Sequence, residues 1–145
     1  MPTVTCSVET ACGVEWAFEE THDYGKRVQW DRFIRRYEVL TDGPIERGSR
    51  VRVWAWNGLA MTVDYEAVKA PELVAMQMVA GPWFLRKFTG SWRFEAGGAG
   101  GTRVTFRYGY VTRWGWMTPM VGWVLRWEMG RRIAALRRHL ERVAA

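Results

Sequence analysis

Regular alternation of apolar and polar residues restricts what this chain can fold into more than any other feature. Residues 89–95 and 103–110 alternate with a period of two on either side of a glycine-rich segment at 97–101. A period of two places every second side chain on the same face of a β-strand. The two runs and the glycines between them therefore predict a hairpin with one buried face.

The same pattern precedes this hairpin. Residues 50–56 and 61–67 alternate around Asn57-Gly58, the preferred pair for a tight hairpin turn. Less regular strand-like runs cover residues 33–41 and 72–79, and a further strand is predicted at 3–10. The chain is therefore predicted to form about seven strands, most of them in one antiparallel run.

Helical spacing occurs in two places. Residues 12–30 predict one or two short helices, and a long helix is predicted from Thr118, a good N-cap followed by Pro119, to about Ala144. At about 100° per residue, the long helix carries one apolar stripe that can close a sheet: Gly122, Leu125, Met129, Ile133, Leu136, Leu140 and Val143. This order of elements predicts an α+β fold in a single domain, residues 1–145.

Several segments also resemble a known family. They are residues 23–30 (DYGKRVQW), 48–52 (GSRVR), 90–95 (GSWRFE) and 101–106 (GTRVTF), in register with the predicted elements. Together they resemble the START/SRPBCC superfamily, and within it the polyketide cyclase/dehydrase and coenzyme-Q-binding-like branch. The resemblance implies a helix-grip fold, in which a curved antiparallel sheet wraps around the C-terminal helix and encloses a pocket for lipids, quinones or polyketides. Many members have a proline after the tyrosine that corresponds to Tyr24, and Gly25 here implies a different loop at the cavity edge.

Composition restricts the environment of the domain. Ten Trp, six Phe and five Tyr are more than packing alone requires, which indicates a cavity or an interface. Cys6 and Cys12 lie near the N-terminus without partners at ligand spacing, so we expect no disulfide, no metal site and no cofactor. The first residues do not form an export signal, and we expect a cytoplasmic protein.

The excess positive charge belongs to the C-terminal part of the chain. Residues 112–145 contain seven arginines against Glu128 and Glu141, whereas residues 1–111 carry 14 basic and 13 acidic side chains. Such asymmetry can mark contact with nucleic acid or an anionic membrane, but arginine also keeps a helix in solution and complements its C-terminal dipole. We prefer the second interpretation and predict no nucleic-acid partner.

No pattern identifies a catalytic group, and the catalytic residues are left unknown. His139 lies among arginines at the edge of the apolar stripe and is predicted to be a solvated surface residue. His22 precedes Asp23, which helix capping explains, and a catalytic pair would need a further neighbour in the cavity. Asp64 and Glu66 fall on the polar face of their strand, where cross-strand ion pairs with arginines explain them.

A ligand would lie on the inward face of the predicted sheet. Tyr65, Tyr108 and Tyr110 would place phenol hydroxyls in an apolar interior. Gln77, or Asn57 near a strand end, would add an amide group. Alternatively, these tyrosines reach solvent at the sheet edge or bond backbone carbonyls. The predicted cavity-lining residues are Trp30, Met61, Tyr65, Gln77, Trp92, Phe94, Phe106, Tyr108, Tyr110, Leu125 and Met129.

The opposite face of the final helix carries a row of large apolar residues, which we call the tryptophan row: Trp116, Met120, Trp123 and Trp127. An exposed row of this kind marks a contact surface. We favour a homodimer contact, with peripheral membrane contact beside Arg126, Arg131 and Arg138 as the alternative. Cover by the loop at 83–85, or a different helix phase near Gly122, would remove this surface.

Three functions from different classes remain open. Binding or carriage of a hydrophobic small molecule, such as a lipid, a quinone or a polyketide-like compound, is favoured because a cavity is implied and no catalytic group points into it. An enzyme of the polyketide cyclase/dehydrase type, which works by shaping its substrate, is the second. A protein-interaction module that uses the tryptophan row is the third.

Overall fold

A computed structural model describes residues 1–144, which form one antiparallel sheet and three helices. In chain order, the elements are β1 (Thr3–Thr10), α1 (Val14–His22), α2 (Tyr24–Trp30), β2 (Ile34–Val39), β3 (Arg50–Ala55), β4 (Ala60–Lys69), β5 (Leu73–Ala80), β6 (Leu85–Ala96), β7 (Thr102–Thr112) and α3 (Thr118–Ala144). The seven strands are ordered β1-β7-β6-β5-β4-β3-β2. The predicted α+β helix-grip architecture, with two short helices after the first strand, is confirmed.

Both predicted glycine turns lie where the sequence placed them. Between β3 and β4, Gly58 has a φ of 89°, and the backbone N–H of Leu59 donates to the side chain of Asn57 at 3.1 Å. Between β6 and β7, a Cβ atom on Gly101 would overlap the carbonyl oxygen of Thr10. Glycine is therefore required at position 101 because the neighbouring backbone approaches so closely.

A β-bulge in β4 changes which residues face the core. The register between β4 and β5 shifts between Tyr65 and Ala67, so that Val68 lies opposite Val74. Val68 packs against the core that contains Val74, although strict alternation predicted Ala67 on the inner face. An extra residue in one strand moves every later side chain to the other face, and the residue pattern of β4 does not show it.

The core on the inner face of the sheet has two parts. The first contains Trp92 of β6, Phe106 of β7 and Leu136 of α3, and the rings of Trp92 and Phe106 stack with their centres 3.8 Å apart. The second contains Tyr24 of α2 and Tyr65 of β4, together with apolar residues of β2 to β5. Helices α3 and α2 thus cover different parts of the same sheet face.

Helix α3 presents the predicted stripe to the sheet. Gly122, Met129, Ile133, Leu136 and Leu140 are buried and Leu125 is half-buried, whereas the side chain of Val143 lies outside the described part of the chain. The predicted N-cap role of Thr118 is wrong, because a 3₁₀ turn at Gly115–Met117 runs directly into the helix and gives Thr118 helical angles. Its hydroxyl instead lies 2.8 Å from the hydroxyl of Thr112. Within residues 1–144, no helix combines the length and the hydropathy needed to cross a bilayer.

Candidate ligand-binding site

Four side chains, from α2 and the residue after it, from β7 and from α3, form a buried cluster between the sheet and the helices: Arg27, Asp31, Tyr108 and Arg132. Asp31 accepts hydrogen bonds from Nη2 of Arg132 at 2.9 Å and from Nε of Arg27 at 3.2 Å. Nη1 of Arg132 donates to the hydroxyl of Tyr108. We call these four residues the arginine cluster.

The local sequence explains the position of Asp31. It follows the last residue of α2, and its backbone N–H donates to the carbonyl of Arg27 at 2.9 Å. Residues four apart on a helix share one side, so this spacing brings the Asp31 carboxylate to the guanidinium of Arg27. Arg132 reaches the same carboxylate from α3 and thereby joins the two helices.

The arginine cluster carries more positive than negative charge. Burial disfavours the ionised form of Asp31, but the charges of Arg132 and Arg27 outweigh burial and hold the pKa of this carboxyl below its usual value. Burial raises the pKa of Tyr108, so the phenol stays protonated at neutral pH. Two buried guanidinium groups therefore face one carboxylate.

Aromatic rings surround both guanidinium groups. The guanidinium carbon of Arg132 lies 4.6 Å from the ring centre of Phe33 and 5.0 Å from that of Phe106. Arg27 lies 5.5 Å from the ring centre of Trp92. Such cation–π contacts stabilise a desolvated cation by about 1–2 kcal/mol. The rings thus offset part of the cost of burying two cations.

The other two predicted tyrosines are also hydrogen-bonded. The phenol oxygens of Tyr65 and Tyr24 lie 2.6 Å apart and share a hydrogen bond, and burial raises the pKa of Tyr65 well above its ordinary value. The hydroxyl of Tyr110 donates to the carbonyl of Thr118 at 3.4 Å, in space that the absence of a side chain at Gly122 leaves free. For Tyr110, the predicted alternative in which the hydroxyl bonds a backbone carbonyl is therefore the correct one.

Next to the arginine cluster, apolar side chains on the inner face of the sheet and on the facing side of α3 are only half-buried. They are Met61 of β4, Met76 and Met78 of β5, and Leu125 of α3, and all four pack against the first core. Met76 and the ring of Tyr108 flank Gly90, where a Cβ atom would lie 3.2 Å from Tyr108 and 3.5 Å from Met76. We call the three methionines the methionine surface. Tyr108, which lies near Met76 of this surface, accepts a hydrogen bond from Arg132.

A cleft of about 770 Å³ opens between α3, the segment after α2 and the β3–β4 turn. Its walls include Phe33, Trp56 and Trp127, and Arg132 belongs both to these walls and to the arginine cluster. The indole N–H of Trp56 donates to Oε1 of Glu128 at 3.2 Å, which ties the β3–β4 turn to α3. Arg132 therefore lines the cleft and also belongs to the buried arginine cluster.

Among the predicted cavity-lining residues, the structure buries Trp30, Tyr65, Trp92, Phe94, Phe106, Tyr108, Tyr110 and Met129, and half-buries Met61 and Leu125. Gln77 is exposed and lies opposite Asp64 and Thr89, on the outer face of the sheet. Its predicted place inside is wrong, because alternation along β5 turns Met76 and Met78 inward and Gln77 outward.

Both histidines are buried. His139 was predicted to be solvated, which is wrong: Nε2 of His139 lies 2.8 Å from Oε2 of Glu20, and the side chain is packed between α3 and α1. His22 stacks on Phe18 with ring centres 4.8 Å apart and borders a second cleft of about 650 Å³. Neither ring nitrogen of His22 has a hydrogen-bond partner within the described residues. Burial, and then the charge of Arg27, lower the pKa of His22 to about 3.

Two carboxylates outside the arginine cluster, Asp23 and Asp64, follow their predicted roles, whereas Glu66 is exposed and makes no salt bridge within the described residues. The side chain of Asp23 accepts from the backbone N–H groups of Gly25 at 3.0 Å and Lys26 at 3.4 Å, and thus caps α2. Asp64 forms the predicted cross-strand ion pair, with Nε and Nη2 of Arg50 at 2.6 Å and 3.0 Å. Capping and surface pairing fully explain both residues.

The tryptophan row is exposed, as predicted. Trp116 and Trp123 are 71% and 69% exposed, and Met120 and Trp127 are about half exposed, with Trp116 in the 3₁₀ turn that precedes α3. The alternative of cover by the loop at 83–85 is wrong, because Trp83 is itself 61% exposed. The helix phase inferred from the sequence is thereby confirmed.

Comparison with known proteins assigns the chain to a family. The family model described as polyketide cyclase/dehydrase and lipid transport matches residues 1–141. The chain belongs to this family. The predicted relationship to the polyketide cyclase/dehydrase branch is therefore confirmed. No curated protein sequence matches the chain.

Several solved structures share the fold of this member of the family. The Zhui aromatase/cyclase from Streptomyces sp. R1128 is 17% identical, with a TM-score of 0.86 over 99% of this chain and 96% of the other. A START superfamily protein from Mycobacterium smegmatis is 16% identical, with a TM-score of 0.83 over 97% and 98%. The protein XoxI from Bacillus cereus is 12% identical, with a TM-score of 0.83 over 100% and 99%. At these identities the likeness concerns the fold alone.

The arginine cluster of this family member was not predicted from the sequence. Arg27, Asp31 and Arg132 were not candidates, because charged residues on helices are usually solvated. A signal was nevertheless present: Arg132 comes seven residues after Leu125 and four before Leu136, which places it within the apolar stripe. Within residues 1–144, no group of three or more His, Cys, Asp or Glu side chains could hold a metal ion.

Proposed function

We propose that this protein binds or carries a hydrophobic small molecule, such as a lipid, a quinone or a polyketide-like compound, between the methionine surface and α3. The observation that carries the proposal is the partial exposure of Met61, Met76, Met78 and Leu125, which face the core and yet are not fully covered. Methionine side chains are flexible and polarizable, so they adapt to ligands of irregular shape.

The arginine cluster supplies the polar part of this proposed site. Small-molecule sites are mostly apolar, with a few fixed polar groups that orient the ligand. Tyr108 lies beside Met76 and is held by Arg132, which is held in turn by Asp31. In this proposal, the aromatic and tyrosine residues predicted from the sequence support the site from behind, and Tyr108 and Arg132 determine ligand orientation.

An enzyme of the polyketide cyclase/dehydrase type is the second candidate. The contact between Arg132 and Tyr108 favours it, because a fixed phenol and guanidinium beside an apolar surface could hold a substrate in one folded shape. Turnover of a poly-β-keto substrate by the purified protein would support this candidate. Retention of that substrate without conversion would support carriage.

We also propose that the tryptophan row forms a homodimer contact, with peripheral membrane contact as the alternative. The exposure of Trp116, Met120, Trp123 and Trp127 supports a contact surface, since Trp and Met are enriched at interfaces. This contact is separate from the ligand site, except that Trp127 also lines the cleft.

Native mass spectrometry of freshly purified protein, followed by denaturing extraction, tests the carrier proposal. We expect an adduct of the mass of a small molecule that is released into organic solvent on unfolding. A direct binding test uses N-phenyl-1-naphthylamine, a neutral apolar fluorophore. A protein that neither retains an adduct nor binds this fluorophore would contradict the proposal.

A matched pair of variants locates the binding. Met76→Gln with Met78→Gln makes the methionine surface polar at nearly constant length, and Met120→Gln makes the same change on the tryptophan row. We expect the first variant to weaken fluorophore binding strongly and the second to leave it unchanged. Equal binding by both variants would place the ligand elsewhere.

A further inference from the structure

The cleft beside the arginine cluster is strongly basic. Five arginines line it, Arg32, Arg126, Arg131, Arg132 and Arg138, against the single acidic residue Glu128. Among the described residues, Arg32, Arg126 and Arg138 make no salt bridge, and Arg131 lies 3.8 Å from Glu128. Arginines gathered around one concave site attract anions, because low-dielectric walls concentrate the electric field there.

The arginine cluster, which shares Arg132 with the cleft, has an excess charge of the same sign. Asp31 faces both Arg27 and Arg132, so one of the two buried guanidinium charges has no carboxylate of its own. A buried charge without a counter-charge is costly, and an anion placed beside it reduces that cost. Arg132 lines the cleft and also contacts Asp31 and Tyr108.

The walls of the cleft fit a small organic molecule. Phe33, Trp56 and Trp127 provide flat apolar surface, and the guanidinium of Arg131 stacks on Trp127 at 4.6 Å from the ring centre. The volume of about 770 Å³ lies within the range of about 300–1,000 Å³ that is usual for small-molecule sites. Arg132, one of the residues that line the cleft, also donates to Tyr108, whose ring lies near Met76 beside Gly90.

We propose that the ligand is an amphipathic anion, whose apolar body lies on the methionine surface and whose single anionic group lies in the cleft beside Arg131 and Arg132. This inference rests on the proposed function and adds the chemical class of the ligand. A carboxylate and a phosphate monoester share the required chemistry. Trp56 and Trp127 enclose the segment that joins the two parts of the ligand.

Competition against N-phenyl-1-naphthylamine tests the charge preference. Dodecanoate, dodecyl phosphate and dodecanol have the same chain and differ in the head group, and each is used below its micelle concentration. We expect at least one of the two anions to displace the fluorophore at about fivefold lower concentration than dodecanol. This advantage should shrink between about 0.02 M and about 0.5 M NaCl, because salt screens partly exposed charges. The stronger anion of the two identifies the head group.

Variants assign the preference to the cleft. Arg131→Gln with Arg138→Gln removes two charges from the cleft, and Arg93→Gln with Arg107→Gln removes two exposed charges from the sheet. We expect the cleft variant to bind the anions about fivefold more weakly, with dodecanol within about twofold, and the sheet variant to leave all three within about twofold. These exposed positions avoid the folding defect that a change at buried Arg132 risks.

The outcomes separate this inference from the proposed function. If dodecanol competes as well as both anions, or if the two variants weaken anion binding equally, the inference is overturned and carriage of an apolar molecule stands. If none of the three compounds displaces the fluorophore and the fluorophore itself does not bind, the proposed function is overturned as well.

Discussion

Replacing Asp31 by Asn perturbs the arginine cluster with almost no change in shape. The substitution removes the only carboxylate that contacts Arg27 and Arg132 among the described residues, and all three side chains are at most 5% exposed. Breaking a buried ion pair by removing one partner costs about 3–5 kcal/mol, because the remaining charge is left unpaired. Here two cations lose their partner, so we expect a loss of about 4–5 kcal/mol in the free energy of unfolding.

The composition of the cluster makes the expected effects asymmetric. In Arg132→Met, Asp31 keeps its contact to Arg27, and one buried cation then faces one buried carboxylate. Arg132→Met should therefore cost less than Asp31→Asn, and the double variant should cost less than the sum of the two single variants. Urea unfolding followed by the fluorescence of the ten tryptophans measures all four proteins.

Asp64→Asn is the matched control. Asp64 contacts Arg50 at 2.6 Å, a shorter distance than any in the Asp31 pairs, but Arg50 is 48% exposed. Exposed ion pairs contribute at most about 1 kcal/mol, so the control should change the stability little. If Asp31→Asn costs no more than Asp64→Asn, or if Arg132→Met costs as much as Asp31→Asn, the description of the cluster as a cation-rich buried site is refuted.

Three further predictions concern pH, backbone contact and assembly. The pKa of His22 is lowered to about 3 in the folded protein, whereas the unfolded chain protonates this ring below about 6.5. The free energy of unfolding should therefore fall by about 3–5 kcal/mol as the pH falls from about 6.5 to about 3. His22→Phe should flatten that pH dependence in urea titrations, and an unchanged slope would show that His22 is not responsible. Gly101→Ala should lower the free energy of unfolding by about 2 kcal/mol or more in thermal unfolding, because its Cβ atom would meet the Thr10 carbonyl. Gly98→Ala, with nothing within 4 Å of its Cβ atom, should lower it less. Equal losses in the two variants would contradict the close approach at Gly101. Trp116→Ser with Trp123→Ser should abolish self-association in sedimentation velocity, whereas the control Trp16→Ser, at a 52% exposed position elsewhere, should not. Unchanged self-association of the double variant would exclude the tryptophan row as the dimer contact. Loss of liposome binding by the double variant would indicate the membrane alternative.

The sequence predicted the elements whose pattern is local. Alternation identified the strands, and glycines in the sequence identified the two turns around Gly58 and Gly101. The structure shows that the backbone conformation of Gly58 and the close contact at Gly101 disfavour other residues there. Strand β5 was different, because Leu73, Val74 and Met76 are apolar on both of its faces and leave the alternation ambiguous. Gln77 was therefore assigned to the wrong face. Where both faces carry apolar residues, only pairing with neighbouring strands decides the orientation.

Most of the candidate site depends on contacts between residues that are distant in the chain. Asp31 and Arg132 are 101 positions apart, and Glu20 and His139 are 119 positions apart. Arg132 and His139 follow Leu125 at intervals of seven residues, so their position on the helix was available from the sequence. Their burial was not, because a charged residue is buried only where a partner meets it, and the sequence pattern does not show which residues meet.

Nuclear magnetic resonance of methionine methyl groups tests the central claim most directly, because it reports where an apolar molecule binds. The chain contains seven methionines, three of them on the methionine surface and Met120 on the tryptophan row. On titration with N-phenyl-1-naphthylamine, we predict ring-current shifts for Met61, Met76 and Met78 and none for Met120. Shifts confined to Met120, or no shift at any methionine at a saturating concentration of the fluorophore, would contradict a ligand site between the sheet and α3.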